Sequence, residues 1–394
     1  MENQQILLLG AGQWILDWCE FYNLEYVLIQ KPQLFLPCTA KEIILLDYEN
    51  DDKVWDYIDA LCSKRNIVAC LTATEPALVL AAQVTEHYSL PYKTCIDIRR
   101  VKEKSVMRKC LENSALDCEA NESSTKLPYA LVNSVGELER FLDEQREIIV
   151  KPNDGVGSQN IFKFNEESKP DIQKLQSFPM LAEKYIGGKE YSVEAFSDDG
   201  EHHILAITEK TIDEDNFVEK RHMLPANIDE TLRDTIHSEA KKFLDVVGII
   251  NGPSHTEFKT FNNEIFFIET HNRVAGDSIT YLLEMVTGVN IFQWMIGSPV
   301  KKKEVGGSIP ENGVAIIEFI FGSQGHIKSI SGLDSARTVS NIVNVTLNKM
   351  TGDRVENTSS SYDRLGYVIA FASNKTACEL AITEAKKRLK IEIL

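Results

Sequence analysis

Two glutamates placed to face one another carry the strongest chemical signal in the sequence. The stretch His255-Thr256-Glu257-Phe258-Lys259-Thr260-Phe261 runs into Asn262-Asn263-Glu264 and then Ile265-Phe266-Phe267-Ile268-Glu269-Thr270-His271-Asn272-Arg273. It reads as a β-hairpin around an asparagine-rich turn. Side chains alternate faces along a strand. With Asn262–Glu264 as the loop, Phe261 pairs with Ile265, Lys259 with Phe267, and Glu257 lies opposite Glu269. A two-residue Asn-Asn loop would instead put the glutamates on opposite faces. Opposed carboxylates destabilise a sheet unless a cation offsets them. Mg²⁺ takes oxygen ligands and shares its shell with substrate phosphates, so it suits such a pair. Arg273, four residues after Glu269, stays on that face if the strand continues, where it would stabilise a transferring phosphoryl group. An exposed acidic hairpin is the competing reading.

A second group is Ile148-Ile149-Val150-Lys151-Pro152-Asn153-Asp154-Gly155-Val156-Gly157-Ser158. An apolar run delivers a lysine to a loop of Gly, Asp and Ser. Glycines let backbone N–H groups close around phosphate oxygens, and the lysine adds a point charge. The lysine precedes the glycines and no GK[ST] follows, so this is not a Walker loop. It also fits a hairpin turn with an exposed lysine. A third group is Met180-Leu181-Ala182-Glu183-Lys184-Tyr185-Ile186, followed by Gly187-Gly188-Lys189-Glu190. A strand with one carboxylate facing a base can read that base, and Glu190 can accept from sugar hydroxyls. Taken alone, the stretch also fits an ordinary hairpin.

Holding these groups requires a particular order of elements. Ile6–Leu9 is a short apolar run ending in Gly10-Ala11-Gly12. Strand patterns recur at Tyr26–Ile29, Glu42–Leu46 and Ile67–Leu71, with helical patterns at Asp52–Lys64 and Pro76–Tyr88. The alternation predicts an α/β domain with a parallel sheet over about 1–98. The glycine turn lacks the third glycine of a dinucleotide fingerprint, since Ile15 stands there; it reads as a tight strand-to-helix turn. Val101–Leu111 and Val135–Gln145 read as helices. Tyr129–Val132, Glu147–Lys151, Met180–Tyr185, Glu190–Phe196 and Ile204–Glu209 read as strands. Helices are expected at Asp277–Thr287 and near Thr376–Leu389. Beyond Gly306-Gly307 the chain becomes rich in strands and turns.

The chain has 394 residues, which predicts two or three subdomains. A net charge of -17 repels phosphate backbones and anionic lipid, so nucleic acid and membrane are not expected partners. The 8 cysteines form no CxxC pair and complete no zinc pattern with histidine. Reduced thiols fit them best. Met1–Asn3 lacks a basic leader region and apolar runs stay short, which predicts a cytoplasmic protein.

In order and spacing, these groups resemble the ATP-grasp superfamily over about residues 1–300. The resemblance implies an α/β and α+β multidomain protein: a Rossmann-like N-terminal domain at 1–98, an ATP-grasp region at 99–300 with a lid subdomain near 115–185, and an α+β portion at 301–394 closing the substrate site. It implies that Lys104, in the helix Glu103–Arg108, and Lys151 contact ATP phosphates under a small lid, Asp154–Gln159, that includes Ser158. Glu183, Lys184 and Ile186 look like the adenine hinge and Glu190 like the ribose carboxylate. Glu257 and Glu269 would hold Mg²⁺. His271 stands where many members have an asparagine, as a third ligand better suited to Mn²⁺.

Two stretches narrow the branch. Phe217–Ala226, containing Arg221 and His222, is similar to the large loop of ligases that handle free amino acids. Arg273-Val274-Ala275-Gly276-Asp277 looks like the corresponding segment of bacterial L-amino-acid ligases. The implied activity is dipeptide formation through an acyl phosphate, with release of ADP and phosphate. Lysines, arginine and a metal suit phosphoryl transfer, which is mainly positioning and electrostatics. Asp154–Gln159 and Asp213–Asn227 would be lids excluding water, and Arg273 or Arg221 would bind the second amino acid's carboxylate. The negative net charge leans toward a cationic amino acid such as arginine. Family members are often homodimers. The alternatives are a ligase for a non-amino-acid carboxylate and a non-catalytic nucleotide-binding protein.

Overall fold

The computed structural model describes residues 4–32, 42–114 and 127–394, except 156, 176, 263 and 308. The start of the expected lid, 115–126, lies outside the described residues, as does position 156 of its loop.

The N-terminal sheet is parallel, in the order Ile43–Leu45, Glu25–Gln30, Gln5–Leu9, Ile67–Leu71. Ile67–Leu71 is buried along its whole length, as a parallel strand covered on both faces must be. Leu7, Leu9, Val27 and Ile29 pack on the helices Val54–Cys62 and Leu78–His87 through Ile58, Leu61, Ala81 and Val84. Ile6, Leu8 and Leu28 face the other way, into a core shared with Leu282 and Trp294 and with Phe196 and Ile317 of the central sheet. The first domain is therefore fixed to the centre of the molecule by common apolar burial.

The helix expected over Val101–Leu111 is broken. Arg99–Lys102 ends at Glu103, whose backbone is extended, and Lys104–Glu112 begins there. Asn153 receives the new N-terminus: its carbonyl accepts from the Lys104 N–H at 2.9 Å and its side-chain oxygen from Ser105 N–H at 2.8 Å. The break thus docks this helix end on the loop after Lys151.

That loop leaves an antiparallel sheet of four strands, in the order Tyr129–Val132, Met180–Lys184, Glu147–Pro152, Phe162–Asn165. The helix Val135–Gln145, capped by Ser134, covers it, and Leu138, Leu142, Ile148, Val150 and Met180 form a core of its own.

The central sheet has eight strands, all paired antiparallel: Glu264–His271, Gly252–Phe261, Lys189–Asp198, Glu201–Ile212, Glu219–Leu224, Val314–Ile320, Gly366–Ala372, Ile342–Leu347. It runs through the boundary expected at 300, so the last three strands extend the same sheet. The segment Asp213–Asn227, read as a lid loop, contains the strand Glu219–Leu224, which lies in mid-sheet.

The hairpin register differs from expectation in an informative way. Phe261 pairs with Glu264, Lys259 with Phe266 and Phe258 with Phe267, which is the shorter turn. The register then shifts between Phe258 and Glu257, and Glu257 pairs with Glu269. A one-residue change of register reverses every face; a bulge contributes one extra residue, here Ile268, and reverses it again.

Gly187-Gly188 joins the small sheet to the central one. Gly188 has φ +93, and a Cβ there would run into the backbone carbonyl of Thr260. Only glycine meets both demands. Gly188→Ala is expected to lower unfolding stability by about 2 kcal/mol, measured by urea denaturation.

Candidate active site

A cavity of about 370 Å³ lies between the small sheet and the central sheet. Lys104, Lys151, Ser158, Glu183, Lys184, Ile186, Glu190, His222, Glu257, Glu269, His271 and Arg273 all line it. Arg221 does not. Alternation along the strand Glu219–Leu224 sends His222 inward and Arg221 to the opposite face, where it binds Glu318 and Glu379.

Positive charge arrives at this cavity from several elements. Lys104 bonds Glu269 at 2.7 Å and the Gly155 carbonyl at 2.8 Å. Lys151 bonds Glu183 at 2.6 Å, and Arg108 binds the other oxygen of that carboxylate. Burial raises the Glu183 carboxyl, yet Arg108 and Lys151 outweigh it and hold it at about 2, against an ordinary 4.5. Glu183 is thus committed to two cations rather than free to face a base. Lys210 lies against Glu257, with Glu219 at 3.4 Å and Glu190 at 3.6 Å. Burial and the nearby Glu257 raise the Glu190 carboxyl despite Lys210.

Two rows of side chains share one face of the central sheet. Glu194, His255 and His271 are paired across three strands, and two residues along so are Ser192, Glu257 and Glu269. His255 lies 2.9 Å from Glu194 through Nδ1 and 3.1 Å from Glu257 through Nε2. Burial alone would lower its pKa, but the two carboxylates raise it to about 9. His271 sits 3.2 Å from Glu269 through Nε2 and 3.0 Å from Glu75 through Nδ1, the latter not in line for a hydrogen bond. Both ring nitrogens of His271 therefore face carboxylates, Nε2 facing Glu269 and Nδ1 facing Glu75. Among the described residues, no group of three or more His, Cys, Asp or Glu is placed to hold an ion. Glu257 and Glu269 alone fit a hard cation whose shell is completed by phosphate oxygens.

The later part of the chain reaches the cavity wall at Ser361 and Tyr362, with Arg364 behind it. Arg364, 4% exposed, donates to both oxygens of Asp277 at 2.8 Å and to Glu219 at 2.8 Å, and stacks on Phe319. His222 meets Asp277 at 3.1 Å through Nε2, while its buried Nδ1 has no partner in the structure. Arg273 lines the cavity with its Nε donated to Glu75 at 2.6 Å. Sequence reasoning missed Arg108, Lys210, His255, Glu75 and Arg364. Arg108 is one helical turn beyond Lys104, and His255 is two strand residues before Glu257, so spacing could have marked both. The others are joined to the site only by tertiary contact.

Residues 144–281 match the ATP-grasp domain family and residues 318–393 match the L-amino acid ligase C-terminal domain 2. The alanine–anticapsin ligase of Bacillus subtilis is 31% identical over 141 residues, 32% of this chain and 30% of that ligase. The chain therefore matches under a third of that relative's length. An uncharacterized Sinorhizobium fredii protein, y4rH, is 21% identical over 382 residues, covering 91% of this chain and 76% of the relative. The solved L-amino acid ligase from Bacillus licheniformis superposes with a TM-score of 0.83 over 100% of both chains, at 20% identity. That likeness establishes the shared fold. No single helix among the described residues is long and apolar enough to cross a membrane.

Removing the Glu183 charge leaves Arg108 and Lys151 uncompensated. Glu183→Gln is expected to cost about 3 kcal/mol at neutral pH, read by chemical denaturation. The carboxyl is depressed in the folded state, so its contribution is complete above the ordinary value of 4.5 and is lost as pH falls through about 2. The gap between parent and variant should therefore narrow only in acid. Arg221→Met, by contrast, is expected to leave nucleotide affinity unaltered in calorimetry and to cost about 1 kcal/mol or less of stability.

Proposed function

We propose that this chain, an ATP-grasp protein carrying an L-amino acid ligase C-terminal domain, is an ADP-forming carboxylate–amine ligase that joins two L-amino acids into a dipeptide. The observation that carries this reading is the opposed pair Glu257 and Glu269, set among Lys104, Lys151 and Arg273 in one cavity.

In this reading ATP lies between the two sheets. Lys104 and Lys151 turn from their glutamate partners to the phosphates, and Asp154–Gln159 with Ser158 covers them. Lys184 and Ile186 border the adenine, and Glu190 accepts from the ribose hydroxyls. Glu257 and Glu269 hold Mg²⁺, or Mn²⁺ in its place, which supplies charge neutralisation to the phosphates when bound. Arg273 orients the carboxylate of the donor amino acid and offsets charge on the transferring group. A carboxylate oxygen bonds to the γ-phosphorus, the bond to ADP breaks, and an acyl phosphate results. The amine of the second amino acid then attacks the carbonyl carbon, phosphate departs, and the nitrogen loses a proton. That proton passes to solvent, and Asp277 holds the His222 ring at the cavity wall through Nε2.

The test is phosphate release from Mg·ATP with the twenty standard amino acids, singly and in pairs, with mass spectrometry of products. Amino-acid-dependent release with a dipeptide mass supports the reading. Release only with another carboxylate, or none despite saturable ATP binding, sinks it. Within an active enzyme, Lys104→Met is expected to raise the KM for ATP about tenfold, and Glu257→Gln to lower kcat about a hundredfold or more.

A further inference from the structure

We infer that Glu194 and His255 form a positioning relay that aims Glu257 at the divalent cation. The inference rests on the ligase reading above and assigns work to two residues that the reading leaves idle.

Glu194 and His255 are 2% and 6% exposed, on adjacent strands in the interior of the sheet. Burying a carboxylate and an imidazole is costly unless each is matched by partners. Here the matching is directional. Glu194 is held at Oε1 by the Ser192 hydroxyl at 2.7 Å and the Thr208 hydroxyl at 3.4 Å. Its oxygens face His255 Nδ1 at 3.1 and 2.9 Å. That fixes the ring, and Nε2 then reaches Glu257 Oε1 at 3.1 Å. Lys210 donates to the same oxygen. Both bonds fall on Oε1, and Oε2 stands outside them.

A glutamate has three side-chain torsions, and a ligand oxygen that must be aimed loses their freedom on binding. A carboxylate already gripped at one oxygen presents the other with little further ordering. The same logic underlies the outer partners of metal ligands generally, whose loss weakens metal affinity by about 10–100-fold. Lys210 cannot serve alone, because its flexible stem and its contacts with Glu190 and Glu219 let it move among three carboxylates. His255 has two ring nitrogens on a rigid plane, and its far side is anchored.

The test measures Mn²⁺ binding by electron paramagnetic resonance, using the full chain saturated with a non-hydrolysable ATP analogue, beside calorimetry of the same analogue without metal. His255→Asn and Glu194→Ala are each expected to weaken Mn²⁺ binding about tenfold or more, with metal-free nucleotide affinity unchanged. Glu194→Gln keeps an acceptor oxygen for the ring and should retain most of the Mn²⁺ affinity; it also guards against variants that do not fold. Unchanged Mn²⁺ affinity in folded His255→Asn, or equal weakening of metal-free nucleotide binding, would overturn the relay while leaving the ligase reading intact. Absence of nucleotide-dependent Mn²⁺ binding in the parent protein would overturn both.

Discussion

Two carboxylates facing each other across paired strands repel, and they persist only where positive charge is brought to them. Much of the molecule around the cavity can be understood as the means of bringing it. Lys104 arrives on a helix whose start is held by Asn153, Lys210 on the next strand but one, and His255 on the strand that carries Glu257. Lys104 also touches the loop after Lys151, through the Gly155 carbonyl. Lys104, Lys151 and Lys210 are thus each already paired with a carboxylate of the cavity. Such pairing offsets the desolvation that separate buried charges would suffer.

The small sheet and the central sheet meet at this charge without sharing an apolar core. The small sheet packs on its own helix, whereas the N-terminal domain shares a core with the centre. What ties the small sheet to the rest is polar: Glu183 to Arg108, Asn153 to the Lys104 helix, and the Gly187-Gly188 joint. A body joined in this way can change its angle at modest cost, which apolar interdigitation would resist. Arg108 also donates to the carbonyl of Phe267, beside the bulge, so one guanidinium spans both sheets.

Most elements were legible because their signals are local. The apolar runs at Ile6–Leu9 and Ile67–Leu71 and the alternation around Glu257 became strands, and Val135–Gln145 is the helix its pattern predicts. The cavity residues were legible where type and spacing coincide, as for Lys151, Glu257 and Glu269, whereas Lys104 was marked by the family resemblance alone. Arg221 was misassigned because a loop was read where a strand runs, and only a strand's alternation separates Arg221 from His222. Glu183 was read as facing a base because its partners, Arg108 and Lys151, come from other elements. Glu75 and Arg364 reach the site across 196 and 87 residues of sequence, to His271 and to Asp277, and no local pattern announces them.

The bulge at Ile268 separates two properties that a plain hairpin locks together. In an unbulged hairpin, turn length alone decides which side chains oppose one another. Here a short turn and one surplus residue give the same opposition as a longer turn with none. The hairpin thus has two spellings for one chemistry, and a residue gained at the tip can be offset by a residue lost at Ile268. Chains with the same spacing between their glutamates can accordingly reach the same opposition by either route, so the form of the turn at this tip is not by itself a sign of a kept or a lost site.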